Sequence, residues 1–372
     1  MPNLTDITAE AARLRNAFEA TGAAVIEAAI LQPADTLLDL YGEDIRARAY
    51  VTSDPLRGEQ MLRPDFTVPV VQLHMAGQVD PARYTYSGKV FRKQEHDPHR
   101  PSEYVQVGLE IFDGSDPEAA DADVFATFAQ LLRPYDVKPV TGDIGILTAA
   151  INGLSTSPER RAALMRHVWR PRRFRALLDR FAGTAPQPTA RTALLKRLAA
   201  GKDPLRGVGP QIGLRSAAEV QTRLDLLQAD AALPPLPSSE VDLLGQLMTL
   251  KERAPAALEH LRDIAVDLPA ILGAVQRLDR RLAALRARDI DVDSLDFEAA
   301  YGRTTMEYYD GFVFGFSAPG RRDLPPVATG GRYDALTRVL GKGRTIPAVG
   351  GVIRPEVLLA VAQNADLNEV GS

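Results

Sequence analysis

The chain has 372 residues, 45% hydrophobic and 25% charged, with 44 Lys/Arg against 48 Asp/Glu for a net charge of −4. That length suits about two domains of roughly 150 residues each, the mildly acidic balance argues against a dedicated nucleic-acid binder, and the lack of cysteine excludes disulfides and thiolate metal sites. There is no run of about 18 apolar residues to span a membrane, and the start of the chain lacks the basic stretch and apolar block of a secretory signal, so a cytoplasmic location is expected.

In chain order, residues 8–22 read as an amphipathic helix with Thr8 at the N-cap and Ala12, Leu14, Ala17 and Phe18 as its apolar stripe. A buried strand is expected over 24–31, and strands over 47–52 and 60–63 continue a mostly antiparallel sheet. Residues 83–114 read as two strands joined by a charged loop. On the first, Tyr84, Tyr86, Val90 and Arg92 fall at even spacing. On the second, Tyr104, Gln106, Gly108 and Glu110 share one face, while Val105, Val107, Leu109 and Ile111 share the other. An amide and a carboxylate aligned on one face, with apolar residues behind, suit a small polar cation better than a core. A helix over 117–132 and a strand and turn over 137–148 follow.

From 155 to 293 leucine, alanine and arginine recur at helical spacing, broken by Pro/Gly clusters at 183–188, 207–213 and 233–239, which predicts a helical insertion. Residues 158–206 hold 13 Lys/Arg against 3 Asp/Glu. Such a run reads first as solvated helix faces and second as a dock for an acidic partner or a phosphate-bearing ligand. Trp169, among arginines, reads as an anchor between helices. Strands are expected over 297–301 and 305–316, with Phe312, Phe314 and Phe316 on one face. A glycine-rich turn at 329–331, a helix over 332–340, a strand over 348–352 and a helix opened by Pro355 complete the pattern. His96, Asp97 and His99 share a loop but lack further ligands, so no metal site is expected.

Five segments carry a resemblance: Leu62–Thr67 (LRPDFT), residues 83–114, Met306–Phe316 (MEYYDGFVFGF), Thr329–Leu336 (TGGRYDAL) and Ala348–Leu359 (AVGGVIRPEVLL). Together and in this order they resemble the catalytic core of histidyl-tRNA synthetase. The resemblance implies an α+β fold, a class II synthetase-like antiparallel sheet with flanking helices, made by residues 1–154 and 295–363. Residues 155–294 would then be the helical insertion and 364–372 a C-terminal tail. It also implies a histidine pocket. Asp65 and Thr67 match the positions that hold the amino group, Gln106 the one that orients the backbone end, and Glu110 with Tyr308 or Tyr309 those that receive the imidazole.

The ATP side departs from the pattern. Arg92 matches the motif 2 arginine and is taken as a vestige of the ATP site. Gln94 replaces the glutamate that meets adenine, Val357 the motif 3 arginine and Arg354 a motif 3 glycine. Thr304 stands where a histidine-specific arginine belongs, with Arg303 one residue away. The synthetases also continue into an anticodon-binding domain beyond the point where this sequence stops. This pattern resembles the regulatory subunit family of short-form ATP phosphoribosyltransferase, synthetase paralogues without the anticodon domain. The resemblance implies no catalytic residue, metal or cofactor of its own. It implies instead a catalytic phosphoribosyltransferase partner, feedback control by histidine in the first step of histidine biosynthesis, and a homodimer within a hetero-oligomer. The proline usual in the dimer motif is replaced by Ala29 or displaced to Pro33. Two rivals remain at this point. One is an active histidine-activating ligase using Arg92 with Arg303 or Arg354 in shifted roles, and the other a tRNA-sensing module drawing on the basic 158–206 stretch.

Overall fold

The computed structural model describes residues 2–35, 38, 48–77, 79–94, 100–206, 215–303 and 308–370. Helix α1 spans Leu4–Glu19, four residues earlier than the pattern suggests, because Asn3 caps it by accepting from the Asp6 backbone N–H at 2.8 Å. The expected cap, Thr8, lies inside the helix and donates to the Leu4 carbonyl at 2.8 Å. The strand expected over 24–31 shrinks to β1 (Ala24–Val25), an exposed edge paired in parallel with β5 (Ala82–Phe91). Strands β2 (Leu31–Pro33), β3 (Val51–Asp54) and β4 (Gly58–Leu62) do not extend the main sheet as expected. They form a separate antiparallel sheet in the order β2-β4-β3. Its last strand leads into α2 (Thr67–Gly77).

The main sheet has the order β1-β5-β6-β12-β11-β10-β7-β9-β8. Its members after β5 are β6 (Glu103–Phe112), β7 (Lys138–Asp143), β8 (Lys251–Arg253), β9 (Asp296–Glu298), β10 (Phe312–Ser317), β11 (Ala328–Arg332) and β12 (Ala348–Ile353). All pairs are antiparallel except β1–β5 and β7–β9. Strands β5 and β6 pair over ten residues, with Tyr84 opposite Glu110 and Gly88 opposite Gln106.

The glycines at 330–331, read from sequence as a turn, sit mid-strand in β11 and pair with those at 350–351 in the expected strand β12, where Gly330 faces Gly351 and Gly331 faces Gly350. Local propensity argues against strand there, but paired neighbours on both sides supply the ladder, and the missing side chains leave room on the sheet. A Cβ on Gly350 would stand 1.5 Å from Glu110 Oε2, and one on Gly108 would stand 2.2 Å from the Tyr86 ring. These two positions must be glycine for both side chains to lie flat on the sheet.

Alternation sorts the two faces as the pattern requires. Behind the sheet, Val107, Leu109, Ile111, Phe312, Phe314 and Phe316 join one core with α1 and α3 (Pro117–Leu132). Phe125 of α3 lies 5.4–6.3 Å from all three phenylalanine rings of β10. Burying each such ring stabilises by about 1.5–3 kcal/mol. In front, Tyr86, Val90, Phe112, Val313 and Tyr333 pack with α2 in a second core.

Residues 144–152 form a helix, α4 (Ile144–Asn152), where a turn was expected, because Asp143 caps it by accepting from the Gly145 N–H at 2.8 Å. Helices α5 (Pro158–Met165), α6 (Pro171–Phe181), α7 (Thr189–Ala199), α8 (Ala217–Ala232), α9 (Ser238–Thr249), α10 (Ala254–Asp267) and α11 (Leu272–Arg286) follow, with the short strand β8 among them. Of these, α5, α6, α9, α10 and α11 share the core behind the sheet through Leu164, Phe174, Leu247, Leu261 and Leu278, and Trp169 packs against both cores.

A buried ion network fastens α11 to the sheet. Arg281, 2% exposed, donates to Asp121 at 2.8 Å and Asp143 at 2.9 Å, while Arg332 donates to the same Asp121 at 2.7 and 3.0 Å. Helix α12 (Asp334–Leu340) has its first N–H groups taken by Asp310, which accepts from Asp334 at 3.0 Å and Ala335 at 2.6 Å. The chain closes with α13 (Pro355–Val370), whose backbone is helical through most of the expected tail.

Candidate functional site

The front of the sheet gathers the residues that the resemblance marks as a histidine pocket. Glu110 on β6 is 1% exposed. Thr67, at the head of α2, donates to Glu110 Oε1 at 3.0 Å and Tyr86 of β5 donates to the same oxygen at 2.9 Å. Tyr333 donates to Oε2 at 2.5 Å. Tyr308 donates to the Thr67 hydroxyl at 3.2 Å, so the hydroxyls form a chain from Tyr308 through Thr67 to the carboxylate. The Tyr308 ring meets Tyr309 edge-on at 4.9 Å and Tyr333 at 6.0 Å. Phe66 stacks on Tyr86 at 4.3 Å and closes the side.

The electrostatics follow from these neighbours. Burial pushes the Glu110 carboxyl up to about 7. The hydroxyls of Tyr333, Tyr86 and Thr67 pull it down, and the nearby Asp65 adds repulsion. Hydroxyls donate hydrogen bonds but bring no positive charge, so they only partly offset desolvation. Burial and the Glu110 charge in turn hold the Tyr86 and Tyr333 phenols well above their ordinary value.

Asp65, 4% exposed, stands just ahead of α2 and accepts from the Val68 N–H at 3.4 Å, a weak contact at a helix start where a carboxylate suits the dipole. Gln106, 1% exposed, lies one pleat beyond Gly108 on the same face, and its amide oxygen has no hydrogen-bond partner among the described residues. A buried acceptor without a donor costs about 1–3 kcal/mol, and a ligand N–H would remove that cost. Of the six expected pocket residues, Thr67, Glu110 and Tyr308 share one hydrogen-bonded chain. Tyr309 packs beside it, and Asp65 and Gln106 flank it.

Sequence reasoning missed two members, Tyr86 and Tyr333. Tyr86 had a signal in its even spacing with Tyr84, though only the sheet places it opposite Gly108. Tyr333 sat inside a quoted motif, but nothing in the sequence placed β11 beside β12 and so brought that phenol to Glu110.

The arginines that a phosphate-handling site would need are engaged elsewhere. Arg92 donates through Nε to the Pro64 carbonyl at 2.8 Å. Arg303, 5% exposed, donates to the Val168 carbonyl at 2.6 Å and lies 5.0 Å over the Phe174 ring. It therefore anchors the helical segment to the sheet. Arg354 donates to the Pro326 carbonyl at 2.8 Å and the Thr329 hydroxyl at 3.2 Å, and burial lowers its pKa. Val357 packs against the core behind the sheet. Thr304 lies outside the described residues, as do His96, Asp97 and His99. Among the described residues no group of three or more His, Asp or Glu could hold a metal ion. No described helix is long and apolar enough to cross a membrane.

The histidyl-tRNA synthetase family model matches residues 2–233 and 215–358. An ATP phosphoribosyltransferase regulatory subunit from Brucella anthropi is 31% identical over 359 residues, covering 91% of this chain and 93% of the relative. The chain belongs to this synthetase-like family of ATP phosphoribosyltransferase regulatory subunits. A regulatory subunit of the same description from Brucella canis is 30% identical, covering 94% of this chain and 96% of the relative. Among solved structures, an ATP phosphoribosyltransferase regulatory subunit/histidyl-tRNA synthetase from Bacillus halodurans superposes with a TM-score of 0.68 at 18% identity, covering 97% of this chain and 81% of that one. A histidine–tRNA ligase subunit from Alicyclobacillus acidocaldarius does so with 0.60 at 21%, covering 98% and 96%. At such identities the structural likeness speaks for the fold alone. It agrees with the α+β, synthetase-like sheet and flanking helices expected from the sequence.

Proposed function

We propose that this chain is the regulatory subunit of a short-form ATP phosphoribosyltransferase, acts in the first step of histidine biosynthesis and its feedback control, and has no catalytic activity of its own. The observation that carries the reading is the 31% identity to a protein of that name over nearly the whole length. The absence of independent activity is supported by the arginines: Arg303 through Nε and Arg354 through Nη1 donate to backbone carbonyls, with Arg303 Nη2 left without a partner among the described residues, and Val357 fills the position of a motif 3 arginine. Phosphoryl chemistry needs positive charge aimed at the phosphates. With Arg303 anchoring a helix, the ligase reading loses one of its two candidate replacements.

Histidine is the ligand of the front pocket in this reading. Its imidazole N–H meets Glu110, displacing one of the hydroxyls now there, and its ammonium meets the free Gln106 oxygen beside Asp65. Support comes from the buried carboxylate held near 7 and the unpartnered amide. Histidine then favours one state of a hetero-oligomer with the catalytic subunit, built on a homodimer of this chain. Such coupling is typically about 1–3 kcal/mol. The test is turnover of a short-form catalytic subunit with and without this chain and histidine. Stimulation by the chain and its inhibition by histidine are expected. No change in turnover on adding the chain would end this reading, as would histidine-dependent pyrophosphate exchange by the chain alone. Calorimetry with histidine on Glu110→Ala tests the pocket separately, and unaltered affinity would remove it.

A further inference from the structure

The helical segment holds an open cleft lined by both cations and apolar side chains, apart from the residues gathered on the front of the sheet. It offers about 490 Å³, open to solvent on one side, between α5, α6, α7 and α8, within the range of small-molecule sites. Four cations line it, Arg160, Arg180, Arg191 and Lys196, against one acid, Asp230. Arg160 is fully used. Its Nε donates to Asp230 Oδ1 at 2.6 Å and its two remaining nitrogens to the Pro234 and Asp230 carbonyls at 2.8 Å. Arg191 takes the other carboxylate oxygen, Oδ2, at 2.7 Å.

Both Asp230 oxygens are thus engaged, yet among the described residues two buried donors, the Nε groups of Arg180 and Arg191, have no acceptor. Arg180 stacks on Phe181 at 4.9 Å. Burial lowers its pKa, and repulsion from Arg191 lowers it further. A guanidinium cluster gathered around a single carboxylate is short of negative charge, and buried cations are tolerated when paired. The walls between the charges are apolar: Leu195, Leu233 and Pro235.

We propose that this cavity is a binding site for a small phosphate-bearing dianion. The four cations carry an excess of three positive charges over Asp230, enough to hold a phosphoryl dianion. The fork of Arg191 and the free Nε of Arg180 suit its several oxygens better than the two of a carboxylate. The apolar walls leave room for a compact organic group beyond the phosphate.

The experiment is calorimetric titration of the full chain with inorganic phosphate, pyrophosphate and AMP at matched ionic strength. The variants are Arg180→Gln, Lys196→Gln and Arg172→Gln. Lys196 is exposed at the rim and Arg172 is exposed on α6 away from the lining, so neither substitution threatens the fold. Saturable binding of at least one probe is expected, weakened about tenfold or more by Arg180→Gln, weakened less by Lys196→Gln and unchanged by Arg172→Gln. Stronger binding of AMP than of phosphate would assign an organic phosphate, and the reverse a free anion. The proposal is overturned if no probe saturates, or if Arg172→Gln weakens binding as much as Lys196→Gln does.

Discussion

Glu110 and Asp230 are both held by several donors, yet their chemistry diverges. Glu110 is surrounded by three hydroxyls and rises to about 7. Burial also pushes Asp230 up, but hydrogen bonds from Arg160 and Arg191 more than offset it, and its carboxyl ends below the usual value. The number of hydrogen bonds is similar, but Glu110 is fully buried while Asp230 is only partly buried, so deeper burial and uncharged donors together raise Glu110, while guanidinium donors lower Asp230. Hydroxyl neighbours leave a carboxyl able to change state near neutral pH and able to exchange a partner for an incoming ligand. Guanidinium neighbours fix it as an anion and make it structural. The contrast separates a site suited to a signal from a clamp, and each side of it can be tested.

The clamp side breaks most visibly at Asp121, which holds both Arg281 and Arg332 in the core. Asp121→Ala leaves two buried guanidiniums with reduced pairing, and urea unfolding should show a loss of about 3–5 kcal/mol. A loss below about 1 kcal/mol would mean that α11 is not fastened to the sheet in this way.

The signal side predicts a pH dependence. A carboxyl whose folded value is raised contributes stability that is fully present below its ordinary value near 4.5 and lost as pH rises through about 7. Glu110→Gln should therefore flatten the decline in stability between pH 5 and 8 by about 2–3 kcal/mol. Asp310, pushed up to about 6 mainly by burial, leaves a residual slope of the same sign. Parallel stability–pH curves for the two proteins would contradict the assignment.

A smaller effect is expected at the floor beneath Glu110. Gly350→Ala brings a methyl against Glu110 Oε2 and should cost about 1–3 kcal/mol through overpacking, with histidine affinity falling in parallel. The smallest change is Tyr333→Phe, which removes one neutral hydrogen bond for about 0.5–1.5 kcal/mol. Because Tyr333 lowers the Glu110 pKa, this substitution should also move the midpoint of the pH transition upward. A downward movement would show that Tyr333 does not stabilise the ionised form.

Some of this was written plainly in the chain. Alternation alone sorted β6 into an apolar back and a Gln106–Glu110 front, and put three phenylalanines of β10 on one face, because a strand's period of two survives any context. The apolar spacing of 155–293 announced helices, and the motif residues led to the expectation of a histidine pocket, whose proposed members the fold brings close together. Other features required the assembled sheet. The glycines at 330–331 look like a turn until the glycines of β12 supply their hydrogen bonds, and Glu110 and Tyr86 lie over glycines that meet them only across the ladder. Tyr333 reaches Glu110 across 223 residues of sequence, and Arg303 reaches Val168 across 135. The sequence by itself determined which side chains could carry charge and which face each would take. Their partners, and therefore which acid titrates near neutrality and which arginine is left without an anion, were decided by tertiary contacts, because a carboxylate's state depends on the groups within a few ångströms and those come from distant parts of the chain.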